Sequence, residues 1–278
     1  MNVFINKNRQ LRNIWWVAIF LFVLASLTIP FILLSQHYRW EITMAHQALI
    51  VISASWICQL LRRRPFTELT GNINAVWAAY FLRGSLTGAA LMLAPVFFLY
   101  SGGWVIWQGQ SLDAWSLWSA TGLGVCVAVA EEFLFRGFLF QRLIAGIGTW
   151  GAQLIIGGYF LLTHMNNPGM TENVKVFASL NIFLASIMFG LAFIRTNSLS
   201  MPVALHFMAN WVQGTLFGFG VSGNEETSFL KPVFNETPQW LTGGSFGLEA
   251  SAPGLICVVI TIIFLYKWKP AGRENNYA

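Results

Sequence analysis

The sequence predicts an all-α, polytopic membrane helix bundle of about eight transmembrane helices, with the N- and C-termini cytoplasmic. Three observations lead there: a composition rich in apolar and poor in charged residues, eight stretches long enough to cross a bilayer, and a one-sided distribution of Lys and Arg. Of 278 residues, 56% are hydrophobic and 10% are charged, and the mean hydropathy is +0.59, values foreign to an ordinary soluble domain. A net charge of +5 would suggest a nucleic-acid partner in a soluble chain. Here the basic residues have another use, and no nucleic-acid partner is expected.

A spanning helix needs about 20 mostly apolar residues, and such stretches lie near 14–35, 44–61, 84–107, 115–139, 149–165, 174–194, 201–219 and 252–268. The first runs past the length of a signal-peptide core and lacks a small-residue cleavage site before Gln36, so it reads as a retained helix. Arg62, Arg63, Arg64 and Pro65 end the second. Residues 66–83, mixed polar and aromatic, fit an interfacial segment on the inner surface. Gly157, Gly158, Ser186 and Gly190 allow close helix approach within spans. Residues 220–250 form the longest outer connection and can cap the bundle. No repeat of 20–50 residues is visible, so residues 1–278 read as a single integral membrane domain.

Orientation follows from the basic residues. With the N-terminus inside, the inner loops and helix ends hold Lys7, Arg9, Arg12, Arg62, Arg63, Arg64, Arg83, Arg136, Arg142, Arg195, Lys267, Lys269 and Arg273, leaving only Arg39, Lys175 and Lys231 outside. Compact length and this bias fit the cell membrane of a prokaryote. Cys58, Cys126 and Cys257 all fall within spans, where a disulfide has no evident purpose. His37 and His46 lie near an outer boundary and are read as solvated, and most of the 13 Trp as interfacial.

Ionisable side chains inside a membrane helix cost roughly 2.5–3.5 kcal/mol each and therefore mark function by default. The fourth span places Glu131, Glu132 and Arg136 among Val, Ala, Leu and Phe. Glu132 and Arg136 stand four apart and can form an internal ion pair, which leaves Glu131 about 100° away around the helix without that partner. The fifth span carries Phe160 and His164. A turn at Gly146-Ile147-Gly148 makes Glu131 and His164 nearly equidistant from it, so an antiparallel hairpin brings them together. The seventh span carries His206 and Asn210 on one helical face.

These residues match three motifs in order on three spans: Glu-Glu-x-x-x-Arg at Glu131, Glu132 and Arg136, Phe-x-x-x-His at Phe160 and His164, and His-x-x-x-Asn at His206 and Asn210. In them the chain resembles the CPBP intramembrane proteases, the CAAX-protease and bacteriocin-processing (Abi-type) family, over roughly residues 110–215. The resemblance implies a membrane-embedded peptidase in which a glutamate and histidines act on a peptide bond near the cytoplasmic side, with residues 110–215 as catalytic core.

The chemistry can also be argued from the residues. Peptide hydrolysis in lipid needs a held water, a base and donors to the oxyanion. Glu131 is the candidate general base, His164 helps to hold the water, and His206 with Asn210 donate to the oxyanion. Glu132, Arg136 and Phe160 support them. The expected partners are the lipid bilayer and a membrane protein or peptide substrate. No cofactor is expected, although Glu131, His164 and His206 could instead ligate Zn²⁺. A His-Glu-x-x-His helix is lacking, and the metal-free reading is preferred. Two other classes remain: a non-catalytic scaffold or bacteriocin-immunity protein, and a transporter using Glu131 and His164 as a proton relay.

Overall fold

The computed structural model describes residues 3–5 and 9–270. Lys7 and Arg273, counted above among the inner cations, lie outside the described residues. The chain is nearly all helical, and its order is α1 (Asn13–Tyr38), α2 (Met44–Leu61), α3 (Thr67–Thr70), α4 (Ala75–Ser101), β1 (Val105–Gly109), α5 (Ala114–Arg136), α6 (Phe138–Ile147), α7 (Thr149–His164), α8 (Lys175–Thr196), α9 (Ser200–Asn210), β2 (Leu230–Phe234), α10 (Gln239–Thr242) and α11 (Ala252–Lys267). A π-turn, Trp211–Leu216, prolongs α9. Helices α1, α2, α4 and α8 are each long and apolar enough to cross a bilayer, and α11 is a shorter apolar helix. The protein is thus an integral membrane helix bundle. Of the α8 window 61% is buried against 6% of the α1 window, so α8 is the central post and α1 faces lipid.

Three expectations about the connections change. The third span does not start at 84. Asn74 caps α4 by accepting a hydrogen bond from the Trp77 N–H at 3.0 Å, and the helix runs straight through Arg83, whose guanidinium lies over the Tyr80 and Trp268 rings. That stacking, on a long stem, lets a cation sit in an apolar helix. The span also stops at Ser101, and Val105–Gly109 pairs antiparallel with Leu230–Phe234 in a small ribbon, Val105 opposite Phe234 and Gly109 opposite Leu230. The fourth helix breaks at Gly137 instead of running to 139. A Cβ there would meet the Phe133 carbonyl oxygen at 2.2 Å, so only glycine fits the break between α5 and α6.

Helix α4 lies close against α9. A Cβ at Gly84 would meet the Met201 carbonyl oxygen at 2.4 Å, and one at Gly88 the Leu205 carbonyl oxygen at 2.3 Å. These two glycines, one turn apart, let the α4 backbone touch the helix that carries His206. Of the small residues singled out earlier, Gly157 faces Phe183 and Gly190 faces the Gln153 amide. Ser186 has a polar use described below, while nothing lies within 4 Å of a Cβ at Gly158.

The two ends of the bundle differ. At one end α3 and α6 form a floor: Glu68 pairs with Arg62 at 3.0 Å and with Arg142 at 3.2 Å, Gln141 donates to the Leu69 carbonyl, and Ser198 donates to the Thr70 carbonyl. The opposite end carries the β1–β2 ribbon and residues 217–251, which fold down into the bundle. Asn167 donates to the Ser222 carbonyl, and the Gly223 N–H donates to the Phe246 carbonyl.

Candidate active site

Arg136, fully buried, is the centre of the polar cluster on α5. One guanidinium nitrogen lies 3.3 Å from Glu132 Oε1, and the other donates to the Ser186 carbonyl at 3.0 Å and to Ser186 Oγ at 2.9 Å. Its charge is enclosed by the rings of Phe160, Phe189 and Phe135, with centroids 5.0, 5.1 and 5.7 Å away. Glu132, likewise at 0% exposure, turns the same Oε1 to His206 Nδ1 at 2.8 Å. The expected Glu132–Arg136 pair is therefore present, and it extends to a second partner on α9 that the motif spacing did not announce.

Both histidines pack against phenylalanines. The Phe160 ring lies 4.4 Å from that of His164, and Phe189 stacks on His206 at 4.8 Å with 17° between planes. His164 Nδ1 lies 2.7 Å from the Phe160 carbonyl oxygen. A carbonyl only accepts, so this nitrogen must carry the hydrogen, which leaves Nε2 of a neutral ring as an acceptor. His206 differs because its Nδ1 faces a carboxylate. Glu132 can balance a positive ring, so His206 Nε2 can carry a hydrogen as well.

Glu131 stands where the two rings converge. Its Oε2 lies 4.0 Å from His164 Nε2 and 4.0 Å from His206 Nε2. Buried as it is, that oxygen has no hydrogen-bond donor among the described residues. The turn expected at Gly146-Ile147-Gly148 is present, with Gly148 at φ 82° between α6 and α7, and the expected meeting of Glu131 with His164, the last residue of α7, follows it. The break at Gly137 adds a bend between Glu131 and that turn.

The three side chains and Asn210, one turn beyond His206, line a cavity of about 610 Å³. Its walls include Leu91, Gly124, Val127, Leu134, Phe135 and Phe189. Sequence reading missed the far side. Ser222, Glu226 and Glu249 also line this cavity, although they belong to the outer connection. Glu249 Oε2 accepts from the Ser222 N–H and Oγ, both at 2.8 Å. Burial pushes the Glu249 carboxyl above the usual carboxylate range, while the Ser222 hydrogen bonds and the nearby His164 and His206 rings pull against it. Burial also pushes Glu226 up. No periodicity signals such residues; they arrive by long-range folding of an irregular segment. His37 and His46 stay away, and His46 caps α2 with Thr43.

A group of three His, Cys, Asp or Glu side chains close enough to hold a metal ion is not present among the described residues. Tetrahedral zinc with bonds of about 2.0–2.1 Å sets its ligand atoms about 3.4 Å apart. A water donating at about 2.8 Å to two acceptors spans about 4–4.5 Å. The separation of 4.0 Å suits the water better.

Residues 113–212 match the family model described as type II CAAX prenyl endopeptidase Rce1-like. That segment holds Glu131, Glu132, Arg136, Phe160, His164, Ser186, His206 and Asn210, and excludes Ser222, Glu226 and Glu249. No curated protein matches the chain.

Proposed function

We propose, for a chain whose residues 113–212 match a CAAX-protease family model, that it is an intramembrane endopeptidase hydrolysing a membrane-associated polypeptide with water activated by Glu131. The reading rests on one observation above all: at the base of the cavity a donorless carboxylate oxygen and an imidazole acceptor stand 4.0 Å apart, a gap fitted by a water giving one hydrogen to each.

Glu131 takes the proton as the water oxygen bonds to the scissile carbonyl carbon, and His164 Nε2 holds the second hydrogen. The oxyanion receives hydrogen bonds from His206 Nε2–H and the Asn210 amide. The positive ring is balanced by Glu132, which Arg136, itself held by Ser186, fixes in place. As the C–N bond breaks, Glu131 returns its proton to the leaving nitrogen. The same reading counts eight crossings, with α5, α7, α9 with its π-turn, and α11 joining the other four, in a prokaryotic cell membrane.

Glu131→Gln keeps the size of the side chain and removes the base, so peptidase activity should fall by about 10²–10⁴-fold with expression unchanged. The measurement is quantitative terminal proteomics on cells lacking the protein and re-expressing either form at equal levels. Identical peptide termini with wild type and variant would instead support the scaffold or immunity reading. Proton flux in liposomes lost with Glu131→Gln would support the transporter reading. Metal chemistry has its own test. Protein purified without added metal should keep its activity through chelation, and activity lost on chelation and restored by zinc would reassign Glu131, His164 and His206 as ligands.

A further inference from the structure

The polar lining of the cavity gathers at one end of the bundle, and the charges of the two ends say which side of the membrane that is. The polar residues that frame its mouth, Gln47, Asn167, Ser222, Asn224, Glu226 and Glu249, all belong to the end with the β1–β2 ribbon. Among the described residues, the lining takes none from the connections at the other end, 62–74, 137–148 and 197–199. That other end is closed by α3 and α6 with buried Leu69, Phe138 and Phe140 and by the Glu68 pairs.

Helix lengths give the same asymmetry. Gly88 packs against Leu205, next to His206, and from there α4 continues to Ser101 for about 20 Å. Helix α5 reaches Glu131 from Ala114 over about 25 Å. By contrast α7 stops at His164, α8 starts at Lys175 and α11 starts at Ala252. On the ribbon side of the site the helical wall is therefore incomplete, and residues 165–174 and 217–251 fill it with irregular backbone. Irregular backbone at membrane depth persists where it is buried in protein or lines a water-filled cavity. Here it lines the cavity, so water reaches Glu131 from that end.

Among the described residues, the closed end carries Arg12, Arg62, Arg63, Arg64, Arg142, Arg195, Lys267 and Lys269 against the single acid Glu68. The open end carries Glu41, Asp113, Glu172, Glu225, Glu226, Glu236 and Glu249 against Arg39, Lys175 and Lys231. Connections rich in Lys and Arg stay in the cytoplasm.

We infer that the cavity opens on the extracytoplasmic face, and that its substrate is the outer juxtamembrane segment of a polypeptide, admitted past Ser222, Asn224 and Glu226. This is the opposite side from the cytoplasmic one that family resemblance implies. The identity of what enters rests on the peptidase reading, whereas the side does not.

Two single cysteines placed in a chain with Cys58, Cys126 and Cys257 replaced by serine decide the side. In intact cells a membrane-impermeant maleimide should label Asn224→Cys, and should label Arg64→Cys only after permeabilisation. The reverse pattern, labelling of both, or protection of both overturns the inference. Should the serine background fail to accumulate, the same substitutions are read against the parent chain with its native cysteines retained. In the proteomic comparison, Glu131-dependent termini should fall on extracytoplasmic segments, and termini on cytoplasmic segments would overturn the proposed entry route. If no such terminus appears, the peptidase reading fails, and the maleimide pattern alone still decides the side.

Discussion

The floor of the bundle and the site above it use the same kinds of buried polar group to opposite ends. In the floor every requirement named here is met: Glu68 has two arginines, the Gln141 amide has the Leu69 carbonyl, and Ser198 and Ser200 reach the Thr70 and Trp77 carbonyls. Above it the pairing is deliberate on one side and incomplete on the other. Each of the adjacent carboxylates keeps one buried oxygen without a donor, but Glu132 is anchored at Oε1 by both Arg136 and His206, while the donorless Oε2 of Glu131 stands on the cavity wall between two imidazoles. Buried polar groups carry a cost unless they are hydrogen-bonded. Paired groups therefore report architecture, and a lone oxygen held between two imidazoles reports chemistry. One turn of one helix contains both.

The sharpest way to break that contrast is to remove the cation that anchors Glu132. Arg136→Met keeps an apolar side chain of comparable length but removes the guanidinium from Glu132, Ser186 and three phenylalanine faces. Breaking a buried pair by removing one partner costs about 3–5 kcal/mol, so the variant should unfold well below wild type in a detergent thermal-shift assay. Arg136→Met combined with Glu132→Gln should recover part of the loss. If Arg136→Met were as stable as wild type, the pair would not be structural.

A smaller effect is expected from Gly88→Ala, which tests how the floor and the site are joined. Its Cβ would lie 2.3 Å from the Leu205 carbonyl oxygen, a backbone atom that can yield only if α4 and α9 separate. Overpacking of this kind costs about 1–3 kcal/mol. Since His206 follows Leu205, the shift should lower peptidase activity more than it lowers melting temperature. Gly158→Ala, where a Cβ meets nothing within 4 Å, should change neither and serves as the control.

How much of this was legible in the sequence depended on the range over which the information acts. The Glu132–Arg136 pair was readable because four residues is one helical turn. The convergence of Glu131, His164 and His206 was readable because a membrane leaves ionisable side chains few places to go. The bend at Gly137 was not readable: a lone glycine in an apolar run looks like any other, and the break depends on the Phe133 carbonyl beside it. The ribbon was missed for a related reason. Val105, Ile106 and Trp107 suit a strand as well as a span, and only their pairing with residues 232–234 decides between them. Arg83 misplaced the start of α4, because a cation that can stack on Tyr80 and Trp268 no longer marks a helix end. Glu249 was hidden among acids of an outer loop, because its burial depends on Ser222 and on how residues 217–251 fold into the bundle.

Glu249 is also the residue through which the contrast can be tested by pH alone. Burial lifts its carboxyl above the ordinary value of 4.5, so the folded protein binds this proton more tightly than the unfolded chain does. The stability that Glu249 contributes is then fully present below about pH 4.5 and is lost as pH rises through the raised folded value. Glu226, lifted by burial as well, acts in the same direction. The melting temperature of the wild-type protein in a fixed detergent should thus fall as pH is raised from about 4.5 toward neutrality. Glu249→Gln can still accept from Ser222 through its amide oxygen but carries no titrating proton, so its curve over that interval should be flatter. Were the two curves parallel, Glu249 would be ordinarily hydrated, and the irregular outer wall of the cavity would be wetter than its burial implies. A flatter curve for the variant would show that the outer connection holds its acid by burial, where the floor holds Glu68 by two arginines, leaving Glu131 as the carboxylate reserved for water.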